Sequence, residues 1–337
     1  SQQRGSVPSA TAVFCGHIVQ QEASAAVWLR FSAGFPRRKK MEIKACRLCP
    51  RLCGVPRTAQ EGEGFCKMGA DAVVARAALH FWEEPCLSGT RGSGAVFFTG
   101  CSLGCVFCQN EQISTRREVG KCLDPEELSE VFLRLEEQGA HNINLVNPTH
   151  FAPAIAQALR LRRPSVPVVY NSGGYDRVET LRSLEGLIDI YLPDLKYVSP
   201  TLSLRYSGAE NYPEAAKAAI LEMLRQTGPP VLDEAGMMQK GTIVRHLVLP
   251  SNTRSTSEVL SWLSQLPAGS VLVSLMAQYV PCGRASLFPE INRRITRREY
   301  EKVQNLLFSL NLAGFVQERS SAVKDFIPPF NLEGLPS

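Results

Sequence analysis

From about residue 95 onward the chain alternates short apolar, β-branched runs with amphipathic stretches, and this alternation constrains the fold more than any other feature. The strand-like runs are "AVFFT" (95–99), "NINLVN" (142–147), "VPVVYN" (166–171), "IDIYLP" (188–193), "TIVRHLVLP" (242–250) and "SVLVSLMAQY" (270–279). Such runs separated by helix-length segments are the pattern of repeated βα units around a parallel sheet. One intervening helix is signalled in full: Asp124 as N-cap, Pro125 at N1, Glu127 at N3, then Leu128, Val131, Phe132 and Leu135 on one face and Gly139 past the end. A last helix starts at Thr296 with Glu299 closing a capping box, runs through Val303, Leu306, Leu307 and Leu310, and stops near Gly314. A short strand is expected in "FVQER" (315–319). Six such units predict an α/β fold, a partial (β/α)6 TIM-like barrel, with a doubly wound open sheet as the alternative. In a barrel, chemistry sits at the carboxyl ends of the strands.

A chain of 337 residues has room for one large domain and a small appendage. Its 44% hydrophobic and 20% charged residues suit a soluble globular enzyme, and no apolar run approaches the roughly 20 residues of a membrane helix. The net charge of +5 is concentrated in "PRRKK" (36–40) and "RRITRR" (293–298), which speaks against a broad nucleic-acid-binding face. Residues 1–40 show no sustained period and no signal-peptide pattern, whereas Met41 opens "MEIKACRLCPRLCGVPR" like a natural start. They read as an unstructured extension, an artefact, a mistaken start or an organelle-targeting leader.

Eleven cysteines make an odd count, unsuited to a complete disulfide set. Clustered cysteines in a long chain hold metal in a reducing compartment more often than they staple a secreted scaffold, so the expected location is cytoplasmic. Cys101, Cys105 and Cys108 follow the first predicted strand in "TGCSLGCVFCQN" (99–110). A structural zinc site wants four ligands, and no fourth Cys or His stands close to this loop. Three thiolates leave one iron of a [4Fe–4S] cluster without a cysteine, and that iron can bind substrate or cofactor. Gly100 and Gly104 allow the chain to wrap closely around it. The other group, Cys46, Cys49, Cys53 and Cys66, makes a complete set of four in a module too poor in apolar residues to fold unaided. Structural zinc and a second iron–sulfur cluster both fit that spacing. The domain plan is therefore 1–40 leader, 41–90 cysteine-rich module and 91–330 barrel.

The Cys-x3-Cys-x2-Cys spacing resembles that of the radical S-adenosylmethionine (SAM) enzymes. The order "GCSLGCVFCQN", "YNSGGY", "LPDLKY", "VRHLVLP" is similar to the pyruvate formate-lyase activating enzyme group and its homologues, over roughly 41–330. The resemblance implies that Cys101, Cys105 and Cys108 ligate three irons and that SAM chelates the fourth. An electron from a donor such as flavodoxin or ferredoxin then cleaves SAM to methionine and a 5′-deoxyadenosyl radical, which abstracts hydrogen. It places Phe107 at the adenine and Asp194 and Lys196 near SAM, and it has Arg245 reach SAM's carboxylate or ribose. Where the family has Gly-Gly-Glu for SAM's amino group this chain has Asn147, Pro148 and Thr149, so the side chains of Asn147 and Thr149 are the expected contacts. Asn171 stands where relatives often have an Asp, and Gln278 is a further pocket candidate. The next residue after Arg245, His246, points to the opposite face and reads as structural. The implied activities are glycyl-radical installation on a partner protein, or modification of a small molecule, lipid or peptide. A non-catalytic iron–sulfur or zinc protein is the remaining alternative.

Overall fold

The computed structural model describes residues 41–317 and 327–336; the leader over 1–40 and the end of "FVQER" lie outside the described residues. The strands are β1 (Ala72–His80), β2 (Ser93–Phe98), β3 (Lys121–Leu123), β4 (Ile143–Val146), β5 (Val168–Ser172), β6 (Ile190–Pro193), β7 (Val231–Leu232), β8 (Met238–Leu247), β9 (Leu272–Met276) and β10 (Gly314–Val316). The helices are α1 (Pro85–Ser88), α2 (Glu111–Ser114), α3 (Pro125–Glu137), α4 (Ala152–Leu161), α5 (Val178–Ser183), α6 (Pro200–Ser207), α7 (Tyr212–Thr227), α8 (Thr253–Leu263) and α9 (Arg297–Ser309).

All six expected strands pair in parallel, in the order β2-β4-β5-β6-β8-β9, with β10 added parallel to β9. Their residues are buried on both faces, which is why they read as continuous apolar runs rather than alternating ones. Each parallel strand lies beside its predecessor in sequence, so the order never reverses. A doubly wound sheet requires such a reversal. The sheet instead curls around one cavity lined from β1 through to β10. The architecture is the α/β partial barrel.

Both helices read from capping signals form as expected. Asp124 accepts from Glu127 N–H at 2.9 Å and Glu127 returns the bond to Asp124 N–H at 3.0 Å, starting α3. Thr296 and Glu299 do the same for α9. The apolar stripe of α3 packs with that of α4 onto β1, β2 and β4, in a core that includes Phe98, Phe132, Phe151 and Tyr170. A second core lies under α6–α9, around Tyr197, Tyr206, Tyr212 and Tyr279.

The stretch expected to be cysteine-rich over 41–90 is divided in the fold. Residues 41–71 form an irregular knuckle held by bridges of Arg57 to Ile43 and Gly62. Residues 72–80 are β1, antiparallel to β2 and β3 at the edge of the sheet. Near the other terminus, residues 327–336 cross β1: Leu332 N–H donates to the Ala75 carbonyl at 3.0 Å and Ala77 N–H to the Glu333 carbonyl at 2.9 Å. Phe330 packs edge-on to Phe97 with ring centroids 5.5 Å apart, and Ile327 and Pro328 line the cavity.

Candidate active site

β2 ends at Phe98, and the chain turns at Gly100 with φ +85°, where a Cβ would stand 2.5 Å from Met68 Cγ. Only glycine passes there. Gly104 is less constrained, because nothing approaches its Cβ position closer than 3.7 Å. The loop is tied to α6 by Gly104 N–H donating to the Ser207 carbonyl at 3.1 Å and Val106 N–H to that of Tyr206 at 2.8 Å. Two guanidinium groups hold its carbonyls: Arg51 Nε on Ser102 at 2.9 Å and Arg284 Nη2 on Gly104 at 3.0 Å.

Held this way, each of the three sulfurs has a hydrogen-bond partner. Leu103 N–H lies 3.3 Å from Cys101 Sγ, the Ser207 hydroxyl 3.0 Å from Cys105 Sγ, and the Ser114 hydroxyl 3.2 Å from Cys108 Sγ. Burial drives the Cys101 thiol far above its usual range and the Cys108 thiol up to about 11, with the Cys105 charge adding to both. Buried thiols of this kind become thiolates when a cationic centre binds them. Lys196 is the nearby protein cation. Burial pulls its ammonium down, but Asp194 and Cys105 outweigh burial and hold it protonated.

The three cysteines rim a cavity of about 740 Å³. Sheet register brings the strand ends together around it: Val146 pairs with Asn171, Ser172 with Pro193, and Asp194 bridges to Arg245. Phe107, Asn147, Asn171, Asp194, Lys196, Arg245 and Gln278 all line this cavity. Asn147 sits in the left-handed region with φ +62° and donates through Nδ2 to the Gly100 carbonyl. Thr149 is placed differently. It is 2% exposed, lies outside the cavity lining, and donates its hydroxyl to Asp176 Oδ1 at 2.7 Å. Asp176 also accepts from Tyr170 and Ser172 at 2.9 and 2.6 Å, and burial raises its pKa. His246 is buried on the opposite face, bonded to the Leu195 carbonyl and Thr256 at 2.7 and 3.0 Å.

Arg245 is engaged from below. Glu84 takes its Nε at 2.8 Å and its Nη2 at 2.6 Å, Glu83 also pairs with Nη2, and Asn144 Nδ2 steadies Glu83 at 2.8 Å. Burial opposes this guanidinium, yet the two carboxylates hold its pKa well above the usual value. Sequence reasoning missed Glu83, Glu84, Ser114, Ser207 and Asp176. Only the adjacent acids in "FWEEP" (81–85) offered a local signal, since an apolar setting with two carboxylates implies a buried cation.

The cysteines of the N-terminal knuckle lie outside the cavity. Burial pushes the Cys49 thiol up to about 12, with Cys46, Cys53 and Cys66 within electrostatic reach, and Cys66 is raised for the same reason. Among the described residues no group of three or more His, Cys, Asp or Glu side chains gathers tightly enough for one ion.

Residues 95–262 match the Radical SAM superfamily. The chain is 30% identical over 278 residues to an uncharacterized protein of Methanocaldococcus jannaschii, covering 80% of this chain and 76% of that one. It belongs to the radical SAM superfamily. Among solved structures it is similar to a radical SAM methyltransferase from Sphaerobacter thermophilus (14% identity, TM-score 0.46, 67% of this chain and 66% of that one). It is also similar to Streptococcus suis SuiB bound to precursor peptide SuiA (11%, 0.43, 65% and 47%) and to a domain of pyruvate-formate lyase-activating enzyme from Bacteroides vulgatus (16%, 0.33, 58% and 91%). The chain thus spans about half the length of SuiB. Membership brings a [4Fe–4S] cluster and SAM as cofactors, radical chemistry from reductive SAM cleavage, and the need for an electron donor. The residues present fit that cofactor pair: three half-buried cysteines, each with a hydrogen-bond partner, stand beside a cation at the rim of the cavity. Among the described residues no helix is long and apolar enough to cross a membrane.

Proposed function

We propose that this radical SAM enzyme abstracts hydrogen from a compact substrate seated in the barrel cavity, with Cys101, Cys105 and Cys108 as the cluster ligands. The observation that carries the reading is the convergence of those three donor-supported sulfurs on a 740 Å³ cavity that also holds Lys196, Asp194 and Arg245. The bound cofactors supply one-electron cleavage of SAM to methionine and a 5′-deoxyadenosyl radical. The chain's own residues bind, orient and exclude water.

Phe107, braced by Tyr279 at 5.9 Å between ring centroids, offers an apolar ring to the adenine. Asn147 and Asn171 offer amide groups to SAM's ammonium in place of a carboxylate. Thr149 takes a positioning role, since its hydroxyl is committed to Asp176. Lys196, oriented by Asp194, presents a positive charge to the carboxylate of SAM. With Nε and Nη2 of Arg245 taken by Glu83 and Glu84, its Nη1 remains for a carboxylate or ribose oxygen. Gln278 supplies a further amide to the lining.

A compact substrate suits the way Ile327 and Pro328 close the cavity's side and Phe330 fills the space against Phe97. Glycyl-radical installation on a partner protein rests on motif order alone. The electron donor is a flavodoxin- or ferredoxin-type protein. Anaerobically reconstituted, reduced enzyme given SAM is expected to form 5′-deoxyadenosine, and Cys105→Ala to form none. Absence of product from the wild-type enzyme, or undiminished product from the variant, would refute the reading.

A further inference from the structure

Arg57 is 2% exposed, and it holds the N-terminal knuckle together. Among the described residues its donors go to the carbonyls of Met68 at 2.9 Å, His150 at 2.8 Å and Gly69, and to Cys46 Sγ at 3.7 Å. All the carbonyls are neutral, so a buried positive charge lacks an anion. Such a charge is costly unless something nearby compensates it. Arg51, between Cys49 and Cys53 in sequence, has the same excess. Its Nε and Nη1 reach the Ser102 and Gly208 carbonyls at 2.9 and 2.7 Å, and its Nη2 is buried with no partner.

Four cysteines lie within electrostatic reach of one another here, and Arg57 reaches Cys46 and Cys66 among them. Leu52 and Gly54 flank Cys53 at φ +48° and +69°, and Lys67 follows Cys66 at +59°. Phe65 N–H donates to Cys53 Sγ at 3.4 Å, and a Cβ on Gly64 would stand 3.4 Å from the same sulfur. Neutral thiols leave Arg57 without an anion, and leave Arg51 with only carbonyls and the Phe65 ring, 3.9 Å from its guanidinium. A tetrathiolate metal centre carries net negative charge and compensates both. Like the sulfurs of the barrel triad, these form no group among the described residues close enough for a single ion, whereas zinc holds its ligands at about 2.3 Å. A [4Fe–4S] cluster takes one thiolate per iron and spreads its ligands.

We propose that Cys46, Cys49, Cys53 and Cys66 hold a second [4Fe–4S] cluster, which passes electrons to the barrel cluster across the contact between Arg51 and Ser102. This role, though not the metal site itself, rests on the function proposed above. A one-electron protein donor reduces the N-terminal cluster from the 2+ to the 1+ state. Transfer returns that cluster to 2+ and takes the barrel cluster from 2+ to 1+, with no bond made or broken. Arg51 provides the link: its backbone lies between two ligands of one cluster, and its side chain holds the carbonyl next to Cys101.

The test is metal and sulfide analysis of the full chain carrying Cys101→Ala, Cys105→Ala and Cys108→Ala together, reconstituted without oxygen. The triple variant is expected to keep about four irons and four sulfides per chain, and the wild type to hold about eight of each. A triple variant with one zinc, or with no metal, would overturn the assignment. If the wild type fails to cleave SAM while the triple variant keeps its four irons, the cluster stands and only the function reading falls. Arg51→Met, with its iron unchanged, is expected to slow 5′-deoxyadenosine formation about tenfold when a flavodoxin-type protein supplies the electron. An unchanged rate in that variant would refute the relay.

Discussion

Ser207 and Ser114 each place a hydroxyl about one hydrogen bond from a cysteine proposed above as a cluster ligand, and so would set the electronic surroundings of its thiolate. Such donors favour the more negative, reduced state of an iron–sulfur cluster. Ser207→Ala is therefore expected to lower the midpoint potential of the barrel cluster, measured by redox titration followed by EPR; an unmoved or raised potential would contradict this role. Neither serine announces itself in the sequence. Ser207 reaches Cys105 across 102 positions and Ser114 acts from a four-residue helix, so no spacing rule marks them. That the three cysteines would share one cavity was legible because they stand at close spacing on one loop. Lys196 was legible for a similar reason: it is two residues from Asp194, on the same side of an extended chain. Glu83 and Glu84 meet Arg245 from more than 160 positions away, which only the closed sheet brings about.

Tyr212, the first residue of α7, joins the ends of two strands at the rim of the site. Its phenol oxygen accepts from Lys196 N–H at 2.9 Å, and its hydroxyl is shared between the Gly173 and Asp194 carbonyls at 3.0 and 2.9 Å. Gly174 completes the join at φ +75°, since a Cβ there would lie 2.0 Å from the Asp194 carbonyl oxygen. Tyr212→Phe leaves buried polar groups without partners and is expected to cost about 1–3 kcal/mol in denaturant unfolding, together with weaker SAM binding. Full stability with wild-type SAM affinity would show that the strand ends need no such clamp. The parallel strands and the two capped helices were readable because burial on both faces and capping chemistry leave strong local signs. β1 was not. Its sequence, "AVVARAALH", is alanine-rich and does not alternate, so its propensity favours helix, and its strand state comes from pairing with β2 and β3.

The whole molecule reads as one cavity with the N-terminal knuckle, proposed as the entry for electrons, fastened on one side and the 327–336 segment on another. The knuckle at 41–71 is fastened to the barrel by Arg51 on Ser102 and Gly208, by Arg57 on the His150 carbonyl, and by Thr180 on the Leu48 carbonyl at 2.7 Å. The segment over 327–336 forms the wall, held by β1 and by an ion pair of Arg76 with Glu333 at 2.6 Å. Between them the strand ends bring Asn147, Asn171, Asp194, Lys196 and Arg245, the residues proposed to contact SAM, to one cavity. The central claim is that the barrel triad leaves one iron open and that SAM binds it. EPR of the anaerobically reduced protein tests this most directly, using the signal that Cys105→Ala removes. That signal is predicted to change shape and position when SAM is added, whereas a signal unaltered by saturating SAM would contradict the account.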